Sequence, residues 1–275
     1  MSDFKDKVVI VTGAGRGLGR SHAIEFAKRG AKVVVNDLGG AIDGTGFGNT
    51  AQSVVDEITH FGGTAFANTD SVAEEGSAQN IVDTALNTYG TVDILVNNAG
   101  ILRDKTFQNV TMENFRAVID VHLMGAVYVT SAVWSIMVAK GWGRIVLTSS
   151  ESGIFGNFGQ SNYAAAKMGL VGLMNVLKLE GGRKGIHTNC LAPGARTRMT
   201  ESLPAQSGGS PHQVSPAVLY LSSDEAPNGI ILQASGGHFS VLRMSHGESV
   251  NLGEGVSYES FLEKAESIVN GKIIS

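Results

Sequence analysis

Short apolar runs alternate with longer mixed stretches along most of this chain. β-Branched and other apolar residues concentrate at 8–11, 32–35, 64–67, 93–96, 144–148, 186–189 and 230–233. Between these runs, the residue types at 18–29, 50–61, 75–89, 111–139, 161–179 and 213–221 suit helices. Strands buried on both faces read as unbroken apolar runs, and parallel strands need helical crossovers between them. The pattern therefore predicts an α/β fold, a doubly wound parallel seven-stranded sheet of Rossmann-like type in a single domain. Residues 1–240 carry the alternation; 241–275 are expected to be a C-terminal extension of the same domain, with 258–269 helical.

Three connections are longer than this framework needs: 38–49, with five glycines, 192–212 and 236–255. In open α/β sheets ligands sit beyond the carboxyl ends of the strands, where such loops gather. The first strand runs into Thr-Gly-Ala-Gly-Arg-Gly-Leu-Gly at 12–19. Glycines there let the backbone turn sharply against a pyrophosphate, and the helix that follows offers free amides and a positive dipole end. The candidate cofactor contacts are Gly13, Arg16, Gly17, Leu18 and Gly19; a tight strand-to-helix turn without a ligand is the plainer alternative.

Asp37 ends the second strand, eighteen residues beyond Gly19. A carboxylate there would accept from the adenosine ribose hydroxyls and repel a 2′-phosphate, which favours NAD over NADP. Arg16 is a contrary hint, outweighed because the Asp37 charge would face that phosphate directly; a turn or capping aspartate before Gly39-Gly40 is the plainer alternative. Asp70 suits either an adenine contact or a helix N-cap. Asn97-Asn98-Ala99-Gly100 ends the fourth strand, and its small and amide side chains suit a backbone pressed against a cofactor; Asn97 and Ala99 join the candidates.

Composition then removes whole classes. The chain has 275 residues, 43% of them hydrophobic, enough for one large core. No unbroken run approaches the roughly eighteen apolar residues of a membrane helix, and neither a signal peptide nor a C-terminal targeting address is apparent. A net charge of −4 without a basic block argues against nucleic acid and acidic membranes. One cysteine, Cys190, makes no intramolecular disulfide, and the seven histidines show no ligand spacing with carboxylates, so no metal is expected. The expectation is a cytoplasmic protein with a small-molecule substrate and no nucleic-acid or membrane partner.

Candidate chemistry lies in Tyr163-Ala-Ala-Ala-Lys167, which follows Ser150 by thirteen residues. Positions four apart share a helix face, roughly 6 Å apart by rise. An ammonium beside a phenol favours the phenolate and would bring its pKa down toward working pH. The phenol could then take a hydroxyl proton as hydride leaves carbon, with Ser150 holding the same oxygen. On its own such a spacing is usually a solvated helix face; the serine upstream and the glycine run give it weight.

Together these residues resemble the short-chain dehydrogenase/reductase family over residues 7–237. The likeness rests on the glycine run, Asn97–Gly100, the Ser150/Tyr163/Lys167 set and the Pro193-Gly194 turn. It implies Tyr163 as general acid/base, Ser150 as substrate-oxygen holder and Lys167 as the group that lowers the tyrosine pKa and binds the nicotinamide ribose. It also implies that Tyr163, Pro193, Gly194 and Thr197 touch the cofactor and that the protein forms a dimer or tetramer. The small residues Ala164–Ala166, Gly169 and Gly172 would permit close helix contacts. The sequences at 33–40, 97–104, 156–160 and 198–200 resemble the (3R)-hydroxyacyl-CoA dehydrogenase part of peroxisomal multifunctional enzyme type 2, implying a 3-hydroxyacyl thioester or bulky secondary alcohol.

Two departures stand out. His122 occupies the place of the family's catalytic asparagine, as in that branch, where it fits a proton relay or a satisfied core histidine. Residues 199–215, which help form a substrate lid in relatives, are short and rich in Gly, Ser and Pro, and Thr197 sits one residue early. The expected activity is NAD-dependent hydride transfer; the alternatives are a nucleotide-sensing protein without turnover and a scaffold that mainly makes an oligomer.

Overall fold

A computed structural model describes residues 4–197 and 209–274. The chain divides into two compact units, Met1–Val241 and Leu242–Ser275. The first is built on strands β1 (Val8–Thr12), β2 (Lys32–Asn36), β3 (Thr64–Asn68), β4 (Ile94–Asn97), β5 (Gly143–Thr148), β6 (Ile186–Gly194), β7 (Ile231–Ser235) and β8 (His238–Leu242). Its helices are α1 (Gly17–Ala27), α2 (Thr50–His60), α3 (Glu75–Tyr89), α4 (Met112–Ile119), α5 (Gly125–Lys140), α6 (Glu151–Phe155), α7 (Ser161–Gly182) and α8 (Ser215–Leu221). The second unit holds α9 (Tyr258–Val269) and an antiparallel pair, β9 (His246–Gly247) with β10 (Ile273–Ile274).

The sheet runs β3-β2-β1-β4-β5-β6-β7-β8, and every pair from β3 through β7 is parallel. All residues of β1, β4 and β5 are buried, as central strands covered on both faces must be, whereas β3 at one edge alternates exposed and covered positions. The sheet has one strand more than the seven expected. The extra strand, β8, lies in the segment read as a loop after the last strand. Gly236 (φ 55°) and Gly237 (φ 83°) both take positive φ, the geometry of a two-residue hairpin turn that returns the chain beside β7.

Helices α4 and α5 run on through a π turn at Asp120–Met124 as one helix, Met112–Lys140. With 29 residues and a most apolar window of mean hydropathy 1.6, it is long and apolar enough to cross a bilayer, which corrects the expectation that no stretch is. Counting unbroken runs missed it because Asn, Asp, His and Ser interrupt the apolar residues. The helix packs against α3 and α7 instead, with 39% of that window buried. Strand order reverses between β1 and β4, so the carboxyl ends of these two strands flank a crevice, the place where such sheets bind ligands.

Candidate active site

The glycine turn is built from both sides of this crevice. Thr12 Oγ1 accepts from the amides of Asn98 (3.0 Å) and Ala99 (3.1 Å), and Asn98 Nδ2 donates back to the carbonyls of Thr12 (3.0 Å) and Gly13 (3.1 Å). The backbones come so close that a Cβ on Gly13 (φ +63°) would lie 2.7 Å from Ala99 Cα. On Gly19 it would lie 2.3 Å from the Gly13 carbonyl oxygen. Gly19 is thus buried behind the turn, which it shapes without lining the crevice. Asn98, which sequence reasoning did not single out from its neighbour Asn97, is the clamp.

Helix α1 starts at an extended Arg16 with no side-chain cap and no acidic residue in its first turn. Its orphan amides therefore stay available to an anion, which is what a pyrophosphate needs. A cleft of about 220 Å³ opens in front of them, lined by Gly13, Arg16, Gly17, Leu18, Asp37, Asp70, Ala99 and Thr197. The residues present fit a dinucleotide.

Asp37 takes the turn role expected before Gly39-Gly40, and it also lines the cleft. Its carboxylate accepts from the amides of Gly15 (2.8 Å) and Gly39 (2.7 Å) and from the Thr50 hydroxyl (3.2 Å). Asp70 also faces the cleft, with Asn68 Nδ2 donating to it at 2.7 Å; it does not cap α3, whose N-cap is Glu74. Asn97 turns its amide to Thr130 Oγ1 (3.0 Å) and is buried. Pro193 and Gly194 continue β6, paired with Ala234 and Ser235 of β7. The Arg-Met-Thr of 198–200 and most of the expected lid lie outside the described residues.

The chemical groups meet where β5 and α7 face the π turn. Ser150 caps α6, its hydroxyl accepting from the Ser152 amide at 3.2 Å. Lys167 Nζ lies 5.4 Å from the centroid of the Tyr163 ring, and the His122 ring meets Tyr163 edge-on at 5.1 Å. Lys167 is buried and donates to the Thr148 carbonyl. His122 Nε2 sits 3.0 Å from the Ile101 amide and 2.8 Å from the Ile101 carbonyl oxygen, while its Nδ1 is buried without a partner. His122 and Lys167 line a small void that shares Val72, Ala99 and Val121 with the main cleft.

The electrostatics differ from the expectation of a phenol made acidic by its lysine. Burial raises the Tyr163 pKa, the Ser150 hydroxyl pulls it back, and the Asp104 carboxylate adds to the rise. Burial also brings Lys167 down from 10.5 to about 7, so the ammonium that was to lower the tyrosine is itself half lost near neutrality. His122 is held well below 6.5, first by burial and then by Lys167, and is neutral at physiological pH. The sequence spacing captured which groups meet; the desolvation that dominates their charges depends on packing.

Residues 7–208 match the short chain dehydrogenase family. The chain is 51% identical, over 86% of its length and 84% of the relative's, to a protein of Mycobacterium tuberculosis named a short-chain type dehydrogenase/reductase. It is 47% identical over 87% of its length to mouse peroxisomal multifunctional enzyme type 2, of which it spans only 33%. Among solved structures, a short chain dehydrogenase from Mycobacterium avium superposes with a TM-score of 0.87 at 41% identity, covering 98% of this chain and 96% of the other.

Proposed function

The chain belongs to the short chain dehydrogenase family, and from that premise we propose that it moves a hydride between NAD and a secondary alcohol or ketone, with 3-hydroxyacyl thioesters as the favoured substrate class. The convergence of Ser150, Tyr163, Lys167 and His122 beside a cleft that begins at an uncapped helix N-terminus carries the reading. The likeness of residues 33–40, 97–104, 156–160 and 198–200 to the (3R)-hydroxyacyl-CoA dehydrogenase part of peroxisomal multifunctional enzyme type 2, together with the identity to the mouse enzyme of that name, supports the thioester class.

When bound, NAD supplies the hydride acceptor at its nicotinamide ring. Gly13, Gly17 and the first amides of α1 would hold its pyrophosphate, and Asp37 would accept from its adenosine ribose. Ser150 holds the substrate oxygen, and Tyr163 takes its proton in oxidation or gives one in reduction. Lys167 would bind the nicotinamide ribose and, when charged, favours the phenolate. With this set intact, a nucleotide sensor without turnover has no support.

A panel of 3-hydroxyacyl-CoA esters, hydroxysteroids and small secondary alcohols, read by NADH absorbance, tests the substrate class; turnover of small alcohols alone would remove the thioester reading. Asp37→Ala is expected to weaken NAD binding about tenfold while improving NADP, since it removes both a charged acceptor and the repulsion of a 2′-phosphate. Equal loss for both cofactors would move the ribose contact elsewhere.

We propose further that the protein works in the cytoplasm as a dimer or tetramer. The open surface at Gly172 and the exposed Met168, Val176 and Leu179 along α7 support a helix-to-helix contact. Light scattering that returns a strict monomer would end that part.

A further inference from the structure

The loop after β4 is fastened to the start of α7. Gln160, the N-cap residue of α7, donates through Nε2 to Asp104 Oδ2 at 2.6 Å. Its backbone also forms an isolated bridge with Lys105. Asn162 Nδ2 donates to the Arg103 carbonyl at 3.2 Å, and Asn162 Oδ1 accepts from the Tyr163 amide at 2.8 Å. Three consecutive residues of one loop are thus pinned to the turn that carries the phenol, with the Asp104 carboxylate as their charged member.

Other charges around the phenol are arranged differently. Lys167 is a turn away on the same helix, and His122 on the π turn is neutral. Arg103 is turned toward the Asp43 carbonyl and Asn114, and Glu151 accepts from Gln233. Lys105 joins through its backbone and keeps its side chain in solvent. Among the described residues, Asp104 is left as the anion that its own loop fastens to the start of the phenol's helix.

We propose that Asp104 is a positioning residue of the reaction: its carboxylate, fixed by Gln160, opposes Lys167 and keeps the Tyr163 hydroxyl in its proton-donating form. This rests on Tyr163 being the acid/base group. A negative charge near the phenol disfavours the phenolate, in the direction found for Tyr163, where Asp104 contributes to the rise. The consequence is directional. Carbonyl reduction, which needs a phenol ready to give its proton, is favoured at neutral pH, and alcohol oxidation, which needs the phenolate, is pushed to higher pH.

The test is the pH profile of kcat/KM measured in both directions for wild type and Asp104→Asn. The acid limb of oxidation and the alkaline limb of reduction should both move down, by the same amount, about half a pH unit at low salt. Because Asp104 is exposed, the movement should shrink as ionic strength rises. A purely structural role would lower rates at every pH and leave both limbs in place, and that result overturns the proposal. Gln160→Ala, which frees the carboxylate without removing it, should give a smaller movement in the same direction; it decides the matter if the Asn variant does not fold, and unmoved limbs again refute the role. Tyr163→Phe separates the premises: an active Phe variant ends the reading of Tyr163 itself, whereas an inactive one with unmoved Asp104→Asn limbs ends only the role of Asp104.

Discussion

Tyr163→Phe should lower kcat/KM for alcohol oxidation by about a thousandfold while NAD affinity changes by less than about threefold. General acid–base groups contribute roughly 10²–10⁴ in rate, and the substitution removes one hydroxyl from a partly buried ring whose edge contact with His122 does not depend on it. The groups proposed to hold the cofactor, the amides of α1 and the Asp37 carboxylate, lie elsewhere, so its binding has little reason to change. The pH profile carries the sharper signature. Burial raises the Tyr163 pKa, so wild-type oxidation should climb with pH as the phenolate forms, and the residual rate of the Phe variant should lose that limb. Stopped-flow NADH formation across pH would show it; a variant within tenfold of wild type, with the limb retained, would transfer the proton chemistry to another residue.

The parts of this molecule that were legible in the sequence are those with a short-range cause. The central strands announced themselves because strands covered on both faces are mostly apolar, and the glycine turn because no other residue fits where a Cβ at Gly13 would strike Ala99. β8 was not legible: it carries His, Ser and exposed Phe239, as an edge strand does, and the residue pair that makes it, Gly236-Gly237, also reads as loop. Asn98 was overlooked for a related reason, since two adjacent asparagines differ only in which way the end of β4 turns them, one toward Thr130 and one toward the glycine turn. The spacing of Tyr163 and Lys167 brought the right pair together but misjudged its charges. Proximity can be read along a helix, whereas desolvation comes from residues distant in sequence, such as His122 beside Tyr163.

That desolvation makes Lys167→Met the variant in which function and stability should part most widely. Lys167 is 3% exposed and its pKa falls from 10.5 to about 7, so folding at neutral pH or below works against a charge that prefers water. At about 1.4 kcal/mol per pH unit the cost approaches roughly 5 kcal/mol. Methionine fills nearly the same volume and gives up one hydrogen bond to the Thr148 carbonyl, a loss of about 1 kcal/mol. The variant should therefore melt several degrees above wild type at pH 7 while kcat/KM drops at least a hundredfold. The pH dependence follows from the sign: a lysine whose folded pKa is depressed costs most below about 7, and the cost fades as the unfolded lysine also loses its proton toward 10.5. Paired melting curves should accordingly converge between pH 7 and 10. A Met variant less stable than wild type at pH 7, or a gap that does not close with rising pH, would mean that Lys167 is held in the fold as a satisfied cation. In that case its ammonium would be fully present to lower the Tyr163 pKa, as the sequence spacing alone implied.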